Sequence, residues 1–167
     1  MIPSFRPFRL WRPLAGLLAL ALPAAAQDSA SDTFALLVPF KKFLDAFNHQ
    51  DPKLPADAFA ARGTIVDSFA PYAWSGLGAA ETWYERQVGV TAAEQKGFKA
   101  ANEHLEIADP RFVRIDGTRA YFVIEATLSY ANGDSGHRTI GLWTVSETKV
   151  GDHWLIENLS WGVLRAD

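Results

Sequence analysis

The 167-residue sequence contains no cysteine. Disulfide bonds therefore add nothing to its stability, and a lipid-modified cysteine is excluded. The four histidines, His49, His104, His137 and His153, are dispersed and form neither an H-x-H nor an H-E-x-x-H motif. Without cysteine and without these spacings, the sequence predicts no metal site and no cofactor.

Basic residues are also scarce, with 16 Lys and Arg against 19 Asp and Glu. Loss of residues 1–26, which hold three arginines and no acidic residue, would leave 13 basic residues against 19 acidic ones, a net charge of −6. An acidic chain without a basic cluster is not expected to bind nucleic acid or an anionic membrane. Gly76 and Gly78 do not belong to a phosphate-binding fingerprint either.

The first 26 residues have the organisation of a secretory signal peptide. Three arginines precede the apolar run Leu14–Leu22, which is too short to span a bilayer, and Ala24–Ala26 is a small-residue cleavage site. We therefore expect export by a Sec-type signal, cleavage before Gln27, and a periplasmic or secreted protein that is no longer attached to the membrane. An uncleaved N-terminal anchor helix is the alternative.

Residues 27–32 are small and polar and are predicted to be a disordered start, and residues 33–167 are predicted to form one domain. Phenylalanines and a leucine at i, i+3, i+4 and i+7 from Phe40 to Phe47 indicate a helix, which Pro39 either opens or kinks. Three further helical segments are predicted from capping signals and periodicity: Pro55–Arg62, Ala79–Val88 and a short turn at Thr91–Glu94.

The strand-like segments lie mostly after residue 103. They are Thr64–Phe69, His104–Ala108, Arg111–Ile115, Thr118–Tyr130, His137–Thr148 and His153–Leu164. Asp116-Gly117 is a strong hairpin signal. Helices followed by an antiparallel meander are typical of an α+β fold.

Residues alternate along the strand that ends at Tyr130. The set predicted to face the helices is Ala120, Phe122, Ile124, Ala126, Leu128 and Tyr130. The opposite face is mixed in character, which favours a homodimer that packs through the outer face of the sheet.

Two segments carry a resemblance to a known family. They are Ile65-Val66-Asp67, continuing into Pro71-Tyr72-Ala73-Trp74-Ser75-Gly76 with Trp83 after it, and the closing strand from Trp154 to Trp161. With its elements in this order, the chain resembles the nuclear-transport-factor-2-like superfamily, which includes SnoaL-like proteins and ketosteroid isomerase. The resemblance implies a cone-shaped, curved antiparallel sheet wrapped around N-terminal helices, with a ligand pocket at its wide end.

Asp67 is the candidate acid–base residue, because a carboxyl group beside apolar side chains can have a raised pKa. A structural role, in which Asp67 accepts backbone N–H bonds at a strand end, is the alternative. The expected wall of a pocket for a small apolar molecule consists of Tyr72, Trp74, Trp83, Trp143, Trp161 and His104. Core packing is the competing interpretation of each aromatic residue.

Two functions follow from these observations. The first is an exported protein that binds a small apolar molecule and carries out acid–base chemistry of the isomerase, lyase or hydrolase type at Asp67. The second is a non-catalytic periplasmic module for interaction or dimerisation. The second is motivated by the mixed outer face of the sheet and by the lack of a complete catalytic set from the family. The oxyanion-binding Tyr and acid of the isomerases have no counterpart that can be aligned, and Arg138 lacks evident carboxylate partners for the Asp-Arg-Asp set of the epoxide hydrolases.

Overall fold

The computed structural model describes residues 30–88, 101–132 and 135–167. Within these ranges the chain forms two helices and six strands: α1 (Ala30–Asn48), β1 (Phe59–Val66), β2 (Ala73–Leu77), α2 (Ala79–Val88), β3 (Ala101–Asp116), β4 (Arg119–Asn132), β5 (Ser135–Val150) and β6 (His153–Ala166). The predicted signal peptide and the predicted turn at residues 91–94 lie outside the described residues.

The strands form one curved, unclosed sheet in the order β2-β1-β6-β5-β4-β3. All neighbouring strands are antiparallel except β1 and β6, which run parallel. The predicted α+β fold is therefore confirmed, but the sheet is mixed rather than purely antiparallel. The reason is that β1 forms a hairpin with β2 on one side, and its other edge is paired by the last strand of the meander.

Helix α1 is longer than its periodic segment indicated. It begins at Ala30, so it includes residues 30–32 of the start that we expected to be disordered. Pro39 lies inside the helix and does not open it. The face with Phe40, Phe43 and Phe47 is buried against the sheet, as its helical spacing predicted.

The helix predicted over Pro55–Arg62 is wrong, because β1 begins at Phe59. Phe59 is buried and its ring packs on that of Phe43 at 5.9 Å. The carbonyl group of Ala58 accepts a hydrogen bond from Ile156 N at 2.9 Å. Pairing with β2 and β6 satisfies the backbone here, and such tertiary pairing overrides the weak helical propensity of an alanine-rich segment.

The two strands predicted on either side of Asp109-Pro110 form one strand, β3. The pairing register shifts on both sides of Pro110, so the proline occupies an irregular position. β3 is an edge strand. A proline is tolerated there because the outer edge does not need its missing N–H group.

The hairpin and the alternation of β4 are confirmed. Asp116 pairs with Arg119 around Gly117, which has a φ of 58°. Glycine suits this position because a left-handed φ carries no steric penalty without a Cβ. The inward residues from Ala120 to Ala126 are buried, and Leu128 and Tyr130 at the end of the strand are partly buried.

A β-bulge in β6 decides where Trp161 lies. Ser146 pairs with Asn158, whereas Glu147 pairs with Ile156, so Glu157 is an extra residue that changes the alternation. After the bulge Leu159 and Trp161 face the helices together with Ile156. The bulge lies against Gly63 of β1, where a Cβ would collide with the Glu157 carbonyl group.

Candidate functional site

A cavity of about 70 Å³ lies between the two helices and the inner face of the sheet. Both helices and the strands β3 to β6 contribute to its wall, together with the loop after β1. The lining residues are Phe43, Phe47, Asp67, Ser68, Phe69, Trp83, Gln87, Leu105, Leu128, Trp143 and Trp161. Aromatic and aliphatic side chains thus surround one carboxyl group, one hydroxyl group and one amide.

Asp67 reaches the cavity because it directly follows β1. The preceding Ile65 is 1% exposed and pairs with Trp74 of β2. The loop closes on itself, because Asp67 N donates to Tyr72 O at 3.1 Å and Tyr72 N donates to Phe69 O at 2.7 Å. These backbone bonds hold the Asp67 carboxyl group in place over the apolar wall.

Both oxygens of Asp67 accept hydrogen bonds. Oδ1 accepts from Ser68 N at 2.6 Å and from Ser68 Oγ at 3.2 Å. Oδ2 accepts from Trp83 Nε1 at 2.9 Å. A carboxylate oxygen can accept about two hydrogen bonds. Oδ1 is therefore saturated, and Oδ2 has one acceptor position left.

Burial raises the pKa of Asp67 above its ordinary value, although the hydrogen bonds from Ser68 and Trp83 pull the pKa in the opposite direction. The side chain is only 8% exposed, so the lost hydration of the carboxylate outweighs the three donors. The two interpretations of Asp67 from the sequence are thus combined in one residue. It accepts a backbone N–H bond at a strand end, and its proton affinity is also increased.

Three indole groups contribute to the apolar wall. Trp83 of α2 is 1% exposed and packs on Phe43, with ring centroids 5.4 Å apart. Trp143 lies at 6.3 Å from Trp83 and at 4.9 Å from Trp161. Gly141 makes room for the Trp161 ring, since a Cβ there would collide with it. A continuous row of three indoles therefore crosses the cavity.

Three of the predicted pocket residues lie elsewhere. Tyr72 is 61% exposed and has a φ of 73°, and the turned backbone carries its ring away from the cavity. Trp74 is buried against Phe69 at a ring distance of 5.1 Å, without lining the cavity itself. The His104 side chain is exposed and its Nε2 lies 3.8 Å from Glu106 Oε1.

Several lining residues were not identified as site residues from the sequence. Gln87 is the clearest, because it follows Trp83 by four positions on α2 and hence shares its face. Leu105 is positioned by Asn48, whose side chain accepts from Leu105 N at 2.8 Å and donates to Leu105 O at 2.9 Å. The helical spacing of α1 placed Phe43 in the core but gave no reason to place it at a cavity.

A second buried carboxyl group, Glu147, was also missed. It alternates with Trp143 and Val145 on the inward face of β5, is 0% exposed, and does not line the cavity. Burial raises its pKa to about 9. Neither of its oxygens has a hydrogen-bond partner in the described part of the chain.

Two further features are absent from the described residues. No group of three or more histidine, aspartate or glutamate side chains there is arranged to hold a metal ion. Over the same ranges, no helix combines the length and the hydropathy of a membrane span.

The fold and the site together define an α+β cone with one hydrogen-bonded carboxyl group in an aromatic cavity. No protein-family model matches the sequence, and no curated protein matches it. Solved structures do match. One is a proposed scytalone dehydratase from Novosphingobium aromaticivorans, with a TM-score of 0.64 and 12% identity over 82% of this chain and 90% of that one.

Two further matching structures are described as nuclear-transport-factor-2-like proteins. One is a nuclear-transport-factor-2-like superfamily protein from Salmonella enterica serovar Typhimurium (TM-score 0.61, 16% identity, 78% of this chain and 89% of that one). The other is a proposed dehydratase of the same family from Streptomyces avermitilis (TM-score 0.61, 16% identity, 81% and 97%). The chain therefore has the nuclear-transport-factor-2-like fold, as the resemblance of its sequence implied.

Proposed function

We propose that the protein binds a small apolar molecule in the cavity and transfers a proton to or from it at Asp67 Oδ2. The observation that supports this most directly is the environment of the carboxyl group. Asp67 is buried in an aromatic wall, its pKa is raised, and Oδ2 keeps one acceptor position. A carboxylate with increased proton affinity and a free acceptor position suits general acid–base catalysis.

The size and charge of the cavity restrict the kinds of ligand that it can bind. A volume of about 70 Å³ suits a compact molecule with few heavy atoms. Asp67 is the one ionisable group among the described lining residues, so the wall offers no cation to an anionic ligand. The ligand is therefore neutral and compact. Two structures with the same fold carry dehydratase names, which agrees with proton-transfer chemistry on such a scaffold.

Binding can be measured by the fluorescence of the three lining tryptophans, titrated with small cyclic ketones, alcohols and hydrocarbons. Proton transfer can be measured by ¹H NMR as enzyme-dependent exchange of deuterium from D₂O into the ketones. We expect Asp67→Asn to abolish exchange while it retains binding. Asp45→Asn removes a carboxyl group from an exposed position of α1 and should change neither. Binding without any exchange would reject the proton transfer, and absence of all binding would reject the pocket.

A second function, self-association through the outer face of the sheet, has an observation of its own. Phe112 and Tyr121 are 50% and 41% exposed, and their rings contact each other at 6.0 Å on that face. Val66 on the same sheet is 41% exposed. We propose a homodimer that covers these side chains. Light scattering should show a dimer that Tyr121→Lys converts to a monomer, whereas a wild-type monomer at all concentrations would reject the proposal.

We also propose that the protein is exported, which rests on the N-terminal sequence. Residues 1–26 combine arginines, an apolar run and a small-residue cleavage site. Fractionation of cells that express the full chain should find it outside the cytoplasm, beginning at Gln27. Intact Met1 in a cytoplasmic fraction would contradict this.

A further inference from the structure

The cavity wall contains one side-chain amide that the protein itself does not use. Gln87 lines the cavity and is half-buried. Within the described part of the chain, its side chain forms no hydrogen bond. Neither of its amide atoms is among the enclosed side-chain atoms that lack a partner, so both keep accessible surface. The amide is therefore available to a molecule that enters the cavity.

Two hydrogen bonds place Gln87 on the same side of the cavity as the carboxyl group. Trp83 Nε1 donates to Asp67 Oδ2 at 2.9 Å, and Arg86 Nε donates to Ala70 O at 3.1 Å. These bonds hold the last turns of α2 against the loop after β1. Gln87 follows Trp83 by four positions, so the two side chains are neighbours on one helix face. A compact molecule in a cavity of about 70 Å³ therefore meets both Asp67 and Gln87.

The two groups are complementary in their hydrogen bonding. An ionised carboxyl group only accepts, whereas a side-chain amide carries two N–H donors and a carbonyl acceptor. Ser68 and Trp83 direct their side-chain donors to Asp67, but Gln87 does not contribute to the bonds of that carboxyl group. The N–H groups of Gln87 thus remain free to bind an oxygen atom of a ligand while Asp67 faces the same molecule.

Building on the function proposed above, we propose that the side-chain amide of Gln87 donates a hydrogen bond to a carbonyl oxygen of the ligand and so determines its specificity. When Asp67 takes a proton from the carbon next to this carbonyl group, the C–H electron pair forms a C=C bond and the carbonyl π pair moves to the oxygen. The Gln87 N–H group stabilises the negative charge on that oxygen. Return of the proton to carbon restores the ketone. The ligand class is therefore a compact neutral ketone with a hydrogen on the adjacent carbon.

The expected effects follow from the kind of bond. A neutral hydrogen bond to the ligand improves affinity about three- to tenfold. Removal of a donor to an oxygen that becomes negatively charged slows a reaction about a hundredfold. Cyclopentanone and methylenecyclopentane form a suitable pair of probes, because they share one ring and differ in an oxygen or a CH₂ group. The wild-type protein should bind the ketone more tightly.

The experiment compares the full-length wild type with Gln87→Met, which keeps an unbranched side chain of similar length and removes the amide. This variant should bind the two probes equally and exchange deuterium from D₂O into cyclopentanone about a hundredfold more slowly. Gln50→Met is the matched control, because it makes the same chemical change at an exposed position outside the cavity wall. It should retain both the preference and the exchange rate. In ¹H–¹⁵N spectra, cyclopentanone should move the Gln87 side-chain signals more than methylenecyclopentane does.

Each outcome decides the proposal. Equal affinities in the wild type, or a preference that survives in Gln87→Met, would overturn the role of Gln87 and leave the proposed pocket intact. A preference that depends on Gln87, without any exchange, would support the recognition and reject the proton transfer. Binding of neither probe would overturn both the role of Gln87 and the proposed function. If Gln87→Met does not fold, the wild-type spectra decide, and Gln87 signals that respond equally to both probes overturn the inference.

Discussion

The two buried carboxyl groups on the inner side of the sheet differ in what surrounds them. Asp67 is 8% exposed, accepts three hydrogen bonds and faces a cavity. Glu147 is 0% exposed, accepts none in the described part of the chain and lies outside the cavity wall. Burial raises the pKa of both groups. A raised pKa therefore does not identify a reactive carboxyl group by itself.

The hydrogen bonds make the difference between the two groups. Donors from Ser68 and Trp83 stabilise the carboxylate form of Asp67, so its pKa rises less than burial alone would cause. Glu147 has no such donors, and with a pKa of about 9 it holds its proton at pH 7. Asp67 lines the cavity and has hydrogen-bond partners, whereas Glu147 is a neutral acid enclosed in the core.

The largest expected effect is the pH dependence of stability caused by Glu147. Its folded-state pKa of about 9 lies above its ordinary value of 4.5, so the folded protein holds a proton that the unfolded chain releases. Its contribution to stability is complete below pH 4.5 and is lost as the pH rises towards 9. Between pH 5 and pH 7 the loss is about 3 kcal/mol. Glu147→Gln should abolish this loss.

Urea denaturation at pH 5, 6, 7 and 8 measures this loss of unfolding free energy with rising pH. Glu106→Gln is the control, because its side chain is 71% exposed and should leave the wild-type slope unchanged. A Glu147→Gln variant whose free energy of unfolding falls with pH as steeply as that of the wild type would contradict the assignment. Glu147 would then not be held in its protonated form at pH 7.

The second effect concerns the donor that holds Asp67. Trp83→Phe removes the bond to Oδ2 and should cost about 2 kcal/mol, since hydrogen bonds to charged groups are stronger than neutral ones. The pKa of Asp67 should rise further. Because stability is lost as the pH rises through a raised pKa, this loss should extend to higher pH than in the wild type.

A ¹³C NMR titration of the Asp67 carboxyl group measures this shift. Trp74→Phe is the matched control, because Trp74 is 7% exposed, packs on Phe69 and makes no hydrogen bond to Asp67 within the described part of the chain. This substitution should destabilise the protein and leave the pKa of Asp67 unchanged. An unchanged titration in Trp83→Phe would mean that burial alone sets the pKa.

Helical periodicity and strand alternation in the sequence correctly predicted the helices and strands whose formation depends mainly on neighbouring residues. The periodic segment Ala79–Val88 is helix α2, and the alternation along β4 gives the buried face. Asp67 was identified because a carboxyl group among apolar residues is unusual. Its bond with Trp83 could not be predicted, since it depends on how α2 lies over the end of β1, sixteen positions earlier.

The other differences between the sequence-based predictions and the structure arise from the tertiary structure and the local backbone conformation. Trp161 faces the cavity only because of the bulge at Glu157, which is matched by Gly63 on a different strand. Tyr72 points outward because its backbone has a left-handed φ of 73°. Glu147 shares the alternation of Trp143, so its burial could have been predicted from β5. Charged side chains usually lie at the surface, however, and for this reason the burial of Glu147 was not predicted.

The third effect tests the aromatic wall around Asp67. A Cβ at Gly141 would collide with the Trp161 indole and, at 2.7 Å, with the backbone oxygen of Gly162, which cannot turn away as a side chain can. Gly141→Ala should therefore cost about 1 to 3 kcal/mol and change the tryptophan fluorescence. Gly136→Ala on the same strand is the control, since a Cβ there meets nothing within 4 Å. Equal melting temperatures of the two variants would contradict the tight contact between Gly141 and Trp161.

The smallest expected effect distinguishes the contributions of the two hydrogen bonds that Ser68 donates to Asp67 Oδ1. The backbone bond is short at 2.6 Å and survives substitution, whereas the hydroxyl bond is long at 3.2 Å and belongs to an exposed side chain. Ser68→Ala should cost only about 0.5 kcal/mol. It should raise the pKa of Asp67 by less than Trp83→Phe does, and Ser68→Thr should restore the wild-type titration. A larger shift in Ser68→Ala than in Trp83→Phe would show that the hydroxyl group, rather than the indole, is the main support of the carboxylate.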